Sequence, residues 1–203
     1  MRLFREFRPA AWSVLIVTGL IGLSGCEEEL PPIVDIDTPF AKLLTNATDR
    51  ELCEFTYYKI CNRYDFYTRE GINVEVEKYS PEERMVILVW HTSDRIVNGG
   101  FGFTFTTRYE EDPDFKITEE HFGQLGLDEQ KKILADARKL APDNTLPETP
   151  KERQELMEGL GKEVVEPYDF RFRDACESGI VAEKLAAFIR TNAEALSHLD
   201  QPQ

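Results

Sequence analysis

Ser80-Pro81-Glu82-Glu83-Arg84-Met85-Val86-Ile87-Leu88-Val89-Trp90-His91-Thr92-Ser93-Asp94-Arg95-Ile96-Val97-Asn98-Gly99-Gly100-Phe101 is the stretch whose reading decides the fold. Serine, then proline, then glutamate three residues after the serine make a helix start. The hydroxyl and the Glu83 carboxylate each accept a backbone N–H that the first turn leaves unpaired, and Pro81 sits where its missing N–H costs nothing. The apolar run from Met85 to Val97 then predicts a helix with a buried face. Asn98-Gly99-Gly100 must break it, because glycine reaches positive φ without a steric penalty. Asn98, Gly99, Gly100 and Phe101 are therefore read as a structural turn. A phosphate loop would need a following Lys-Ser/Thr pair and a strand in front.

After that turn, Phe101, Phe103 and Phe105 alternate with small or polar residues, a period of two that favours a strand. Read alone, Asn98-Gly99 would be a hairpin turn joining Met85–Val97 to Phe101–Thr107. The capping signals at Ser80 favour a helix before the turn, and residues 101–107 stay open between helix and strand. Elsewhere, Thr48 is an N-cap for a helix carrying Leu52, Phe55, Thr56, Cys61 and Tyr64, which Gly71 ends. Ile72 to Glu77 reads as a short strand or an extended connector. Further helices are expected over Thr118–Leu125, Asp128–Leu140, Thr149–Leu160 and about Asp174–Leu196, the last with Ile180, Leu185, Phe188, Ile189 and Leu196 inward. The expectation is a mainly α chain: a single compact helical domain over residues 38–203 with at most one short strand or hairpin element.

The N-terminus carries an address. Arg2, Arg5 and Arg8 precede an apolar run from Ala10 to Leu23, and Leu23-Ser24-Gly25-Cys26 follows. That order is the layout of a secretory signal, and small residues before a cysteine resemble the lipobox of bacterial lipoproteins. Residues 1–25 are expected to be a signal peptide, Cys26 the lipidated residue, and residues 26–37, with Glu27-Glu28-Glu29-Leu30-Pro31-Pro32, an extended tether. The alternative is an uncleaved anchor, which the run is too short to favour against the roughly 20 residues of a span. The expected location is the cell envelope, at the periplasmic face of a membrane. Removing Arg2, Arg5, Arg8 and Glu6 from 24 basic and 38 acidic side chains leaves 21 and 37, a net charge of −16. Such a surface repels nucleic acid and favours a basic protein, cations or plain solubility.

Val97-Asn98-Gly99-Gly100-Phe101, Phe122-Gly123-Gln124-Leu125-Gly126-Leu127 and a closing Phe188-Ile189-Arg190-Thr191-Asn192 together resemble a bacterial DNA-mimic-protein family whose hallmark is an Asn-Gly-Gly-Phe turn. The resemblance runs from about residue 50 to residue 195. It implies a compact, mostly helical domain in which carboxylates stand in for DNA phosphates and occupy a DNA-binding protein. Export would remove this chain from the transcription factors and nucleoid proteins that a mimic engages.

Signs of chemistry are few. His91, Asp94 and Arg95 lie three and four apart on the expected helix and are read as a surface polar pair, with no nucleophile or second base nearby in sequence. His91, His121 and His198 have no metal-ligand spacing, so neither a metal nor a cofactor is expected. Cys53 and Cys61, eight apart on one helix, are about 12 Å apart and too far to bridge. A Cys53–Cys176 or Cys61–Cys176 disulfide stands beside plain buried thiols. Glu110, Glu111, Asp112 and Asp114 form an acid cluster without the spaced oxygens of a calcium loop, and are the candidate acidic binding surface. Asn46-Ala47-Thr48 matches a glycosylation sequon but is read as a helix cap. The favoured function is a membrane-anchored, non-enzymatic acidic module for a basic protein or envelope component. The alternative is an envelope hydrolase whose site is assembled from residues distant in sequence.

Overall fold

The computed structural model describes residues 35–64, 67–68, 71–72, 78–107, 109 and 112–201. The expected signal peptide, the expected acylation site Cys26, most of the expected tether, Glu110 and Glu111 lie outside the described residues, as does the expected strand beyond Ile72. Residues 32–203 form one compact unit.

The chain is mainly helical. A turn at Asp35, where Thr38 N–H donates to the Asp35 carbonyl at 3.1 Å, leads into α1 (Phe40–Asn46) and α2 (Asp49–Arg63). A two-rung antiparallel ladder of β1 (Tyr67–Thr68) and β2 (Gly71–Ile72) follows. Next come α3 (Pro81–Phe105), α4 (Lys116–Gln124), α5 (Asp128–Arg138), α6 (Pro150–Leu160), α7 (Lys162–Cys176), α8 (Ile180–Thr191), and a short α9 (Ala193–Leu196) that runs into a 3-10 turn at Ser197–Asp200. No described helix is long and apolar enough to cross a membrane.

Three helices start on reciprocal caps: Thr48 with Glu51, Ser80 with Glu83, and Thr149 with Glu152. At Ser80 the bonds are Glu83 N–H to Ser80 Oγ at 3.2 Å and Ser80 N–H to Glu83 Oε2 at 2.8 Å. Glu83 is 1% exposed, so its carboxylate needs every partner it has. The Tyr64 hydroxyl donates to Oε2 at 3.4 Å, and His198 Nε2 lies 2.9 Å from Oε1, tying the C-terminal turn to the start of α3.

α3 is the axis on which α2, α4, α6, α7 and α8 pack. Its residues Val86 to Val89 are fully buried, as are Leu52 and Ile60 of α2 and Leu185 and Ile189 of α8. A second core is aromatic: Phe101 meets Phe172 edge-on at 5.7 Å, Phe105 meets Phe115 at 5.4 Å, and Tyr109 meets Phe115 at 5.2 Å. Each ring so buried is worth roughly 1.5–3 kcal/mol relative to exposure.

Several expectations are corrected. α2 ends at Arg63, well before Gly71, and presents Cys53, Tyr57 and Ile60 inward while Tyr58 is exposed. The single closing helix from Asp174 is instead α7, α8 and α9, separated by Gly179 at φ 75° and by Asn192. α1 and α7 were not expected. Residues 101–105 are helical, not a strand. Phe101 and Phe105, four apart, share the inward face, and Phe103 points outward at 54% exposure. A period of two over three aromatics was half of a helical pattern. Cys53, Cys61 and Cys176 are free thiols, so neither candidate disulfide forms.

Candidate functional site

The Asn-Gly-Gly-Phe segment interrupts α3. Gly99 keeps helical backbone, whereas Gly100 has φ 77° and ψ 175°, and the helix resumes at Phe101. The break frees the Phe101 N–H, which donates to Asp169 Oδ1 of α7 at 2.7 Å. Thr104 Oγ1 donates back to the Gly100 carbonyl at 2.8 Å, so both sides of the kink are satisfied. Burial pushes the Asp169 carboxyl above its ordinary value, opposed by the Phe101 N–H and by Arg173. Asn98 Nδ2 donates to Asp94 Oδ1 at 2.8 Å, one turn back. The kink swings Phe101 and Phe105 into the core and leaves Phe103 outside, with the Arg95 guanidinium 3.9 Å from its ring centroid.

His91 is not part of a surface pair. It is 6% exposed, stacked on Tyr57 at 5.8 Å, and its Nδ1 shares a 2.6 Å hydrogen bond with the Tyr109 hydroxyl. Burial, with the Arg95 charge added, lowers its pKa to about 3, so the ring is neutral at pH 7. Burial also raises the Cys53 thiol far above its ordinary value, Cys61 to about 12 and Cys176 to about 11, so all three stay protonated. Among the described residues no group of histidines, cysteines and carboxylates could hold a metal ion.

Of the acid cluster, Glu110 and Glu111 lie outside the described residues, and Asp112 is not a surface charge. Asp112 is 2% exposed and accepts from Ile117 N–H at 2.8 Å, Thr118 N–H at 2.8 Å and Thr118 Oγ1 at 2.7 Å. It caps α4 in place of Phe115, whose left-handed backbone offers no side-chain acceptor. Burial nevertheless outweighs these bonds and holds the Asp112 carboxyl above its ordinary value. Asp114 accepts from Leu146 N–H at 2.8 Å and pairs with Lys116 at 3.2 Å.

Beside it, Arg153 of α6 is fully buried and donates to the carbonyls of Pro147, Thr107 and Pro113 at 2.6, 2.9 and 2.8 Å, fastening the end of α3 to α6. Neither Asp169 nor Arg153 was singled out from sequence, because Asp169 binds backbone 68 residues away and Arg153 joins carbonyls 6, 40 and 46 residues from it.

Exposed carboxylates occur on many elements, Asp128 and Glu129 of α5 and Glu183 of α8 among them, and one run of them lies on α6 and the start of α7. Glu152, Glu155 and Glu158 recur every three residues, about 4.5 Å of helix rise apart, and Glu163 and Glu166 continue beyond Gly161. All five are exposed. Phosphates along one DNA strand rise about 3.4 Å each, so the acid ridge repeats negative charge on a similar scale. Lys151 sits 3.6 Å from Glu155 at the ridge's edge, and both side chains are largely exposed.

In comparison with known proteins, the family model described as DMP19-like protein matches residues 77–192, more than half the chain. No curated protein and no solved structure matches it. The matched span opens just before the Ser80 cap and closes at the end of α8. It therefore holds the Gly100 kink, its partner Asp169, the buried Arg153 clamp and the acid ridge. The chain belongs to the DMP19-like protein family.

Proposed function

We propose that the protein is a non-enzymatic acidic binding module, anchored through Cys26 at the periplasmic face of a membrane, whose α6–α7 ridge receives a basic protein. The observation that carries the reading is the placement of charge. The carboxylates of Asp112 and Asp169 are consumed inside the fold, whereas Glu155, Glu158, Glu163 and Glu166, together with the cap carboxylate of Glu152, are exposed on consecutive helices. Exposed charge arranged in this way raises encounter rates with a cationic surface and disfavours nucleic acid. Membership of a DMP19-like family fits an acidic binding role. The neutral His91 ring and the protonated thiols are poor general bases and nucleophiles, which weighs against the hydrolase alternative.

Two readouts in the native cell test this. Wild type should sediment with membranes and Cys26→Ser should not. A photo-crosslinking residue at Glu155 should capture a protein of net positive charge, while the same residue at Lys42 of α1 should not. Capture of an acidic partner, or equal capture from both positions, would contradict the ridge.

A further inference from the structure

Outside α3, between α2, α7 and α8, lies a cleft of about 240 Å³. Its lining includes Trp90, Ser93 and Val97 of α3, Val181 of α8, Arg50 of α2 and Arg173 of α7. Three features of this cleft are unexplained by folding. Ser93 is 5% exposed and its hydroxyl has no hydrogen-bond partner among the described residues, although a helical serine can ordinarily turn to a carbonyl of the preceding turn. Arg50 and Arg173 form no ion pair among the described residues, in a chain with a net charge of −14. Arg173 donates its Nε to the Val97 carbonyl at 3.1 Å, lies 5.7 Å from the Phe170 ring centroid and favours the Asp169 carboxylate electrostatically, with no hydrogen bond from its terminal nitrogens among the described residues. Arg50 donates to nothing described. An unsatisfied buried hydroxyl and two guanidinium groups without an ion pair among the described residues stand beside an apolar lining.

We propose that this cleft binds an apolar group carrying one carboxylate, the ligand's body lying against Trp90, Val97 and Val181, its carboxylate held by Arg50 and Arg173, and its polar edge meeting Ser93. The volume is below the roughly 300–1,000 Å³ of drug-sized sites, which limits the occupant to about one branched or aromatic side chain with its acid. Asp94 and Glu177 also border the cleft. Asp94 already accepts from Asn98 at 2.8 Å, and the two acids disfavour a dianion such as phosphate while leaving a single carboxylate acceptable. This chemistry has two sources: a free small acid, or the C-terminal residue of a peptide. The cleft lies on α2, α3, α7 and α8 and does not depend on the ridge reading.

The chain has two tryptophans, so in the full-length protein carrying Trp12→Phe the fluorescence reports Trp90 alone. It is titrated with N-acetyl-leucine, with N-acetyl-leucinamide, and with a hexapeptide ending in leucine with a free carboxylate. The expected result is a saturable change with the acid that weakens about tenfold for the amide and for Arg173→Gln, since a charge-assisted hydrogen bond is lost. Ser93→Ala weakens it several-fold. Peptide binding that matches the acid assigns a chain terminus, and binding of the acid alone assigns a free small acid. If Arg173→Gln fails to fold, Arg50→Gln carries the test, because Arg50 makes no hydrogen bond among the described residues. Equal binding of acid and amide, no saturable change with acid or peptide, or unchanged affinity in the arginine variants overturns the proposal.

Discussion

A β-carbon placed on Gly100 would lie 2.5 Å from Asp169 Oδ2, at a backbone φ of 77° that side-chain-bearing residues rarely adopt. Gly159, inside α6, has open space around the same position and an ordinary helical backbone. Gly100→Ala should therefore destabilise the protein by about 1–3 kcal/mol, and Gly159→Ala should stabilise it by up to about 1 kcal/mol. Urea midpoints of the two variants against wild type check this, and shifts of the same sign would refute the kink's special role. His91 provides the second test at this scale. Its folded pKa of about 3 lies below the unfolded value near 6.5, so the folded state binds fewer protons between those limits. Its contribution is complete above pH 6.5 and is lost toward pH 3, at about 1.4 kcal/mol per pH unit. His121, also lowered by burial, acts in the same direction. Asp112 and Asp169, raised by burial, act in the opposite one, favouring the fold as pH falls just above the ordinary carboxylate range. In denaturation series from pH 7 to pH 4, His91→Gln should flatten the acid-side slope by about one proton, and an unchanged slope would show that the ring is not the group responsible.

At the scale of elements, the start of α3 concentrates several interactions on two residues. Ser80→Ala should cost about 1 kcal/mol, as loss of a cap does, and Glu83→Gln should cost more, because the buried carboxylate also serves Tyr64 and His198. Thermal midpoints measure both, and a harmless Glu83→Gln would contradict the buried network. Local signals of this kind were the legible ones: the caps at Thr48 and Ser80 each lie within four residues of what they bind. α7 was not legible. Pro167 stands inside it, a residue that costs about 3 kcal/mol in a helix interior, and no capping side chain precedes Lys162. Its helix is held by tertiary contacts: the buried Val165 and Phe172 and the Asp169 bond to Phe101. The Asn-Gly-Gly-Phe turn was readable as a break in the chain, but not its partner 68 residues on. Asp112 was not legible as a cap, because composition cannot distinguish a solvated aspartate from one that accepts the Ile117 N–H five residues on.

For the whole molecule, net charge was readable from the sequence, but its distribution was not. Folding turns Asp112 and Asp169 into acceptors for backbone N–H groups and leaves Glu155, Glu158, Glu163 and Glu166 exposed on α6 and α7, a division that composition does not show. Exposed charges more than about 8–10 Å apart are screened at physiological ionic strength, so binding through those carboxylates must depend on salt. The most direct test is the affinity of the full-length protein for the partner captured at Glu155, measured from 50 to 300 mM salt. Wild type is compared with a variant carrying Glu152→Gln, Glu155→Gln, Glu158→Gln and Glu163→Gln. The account predicts that wild-type affinity falls steeply as salt rises and that the variant binds weakly with a nearly flat dependence. Salt-independent binding, or superimposable curves for the two proteins, would contradict it.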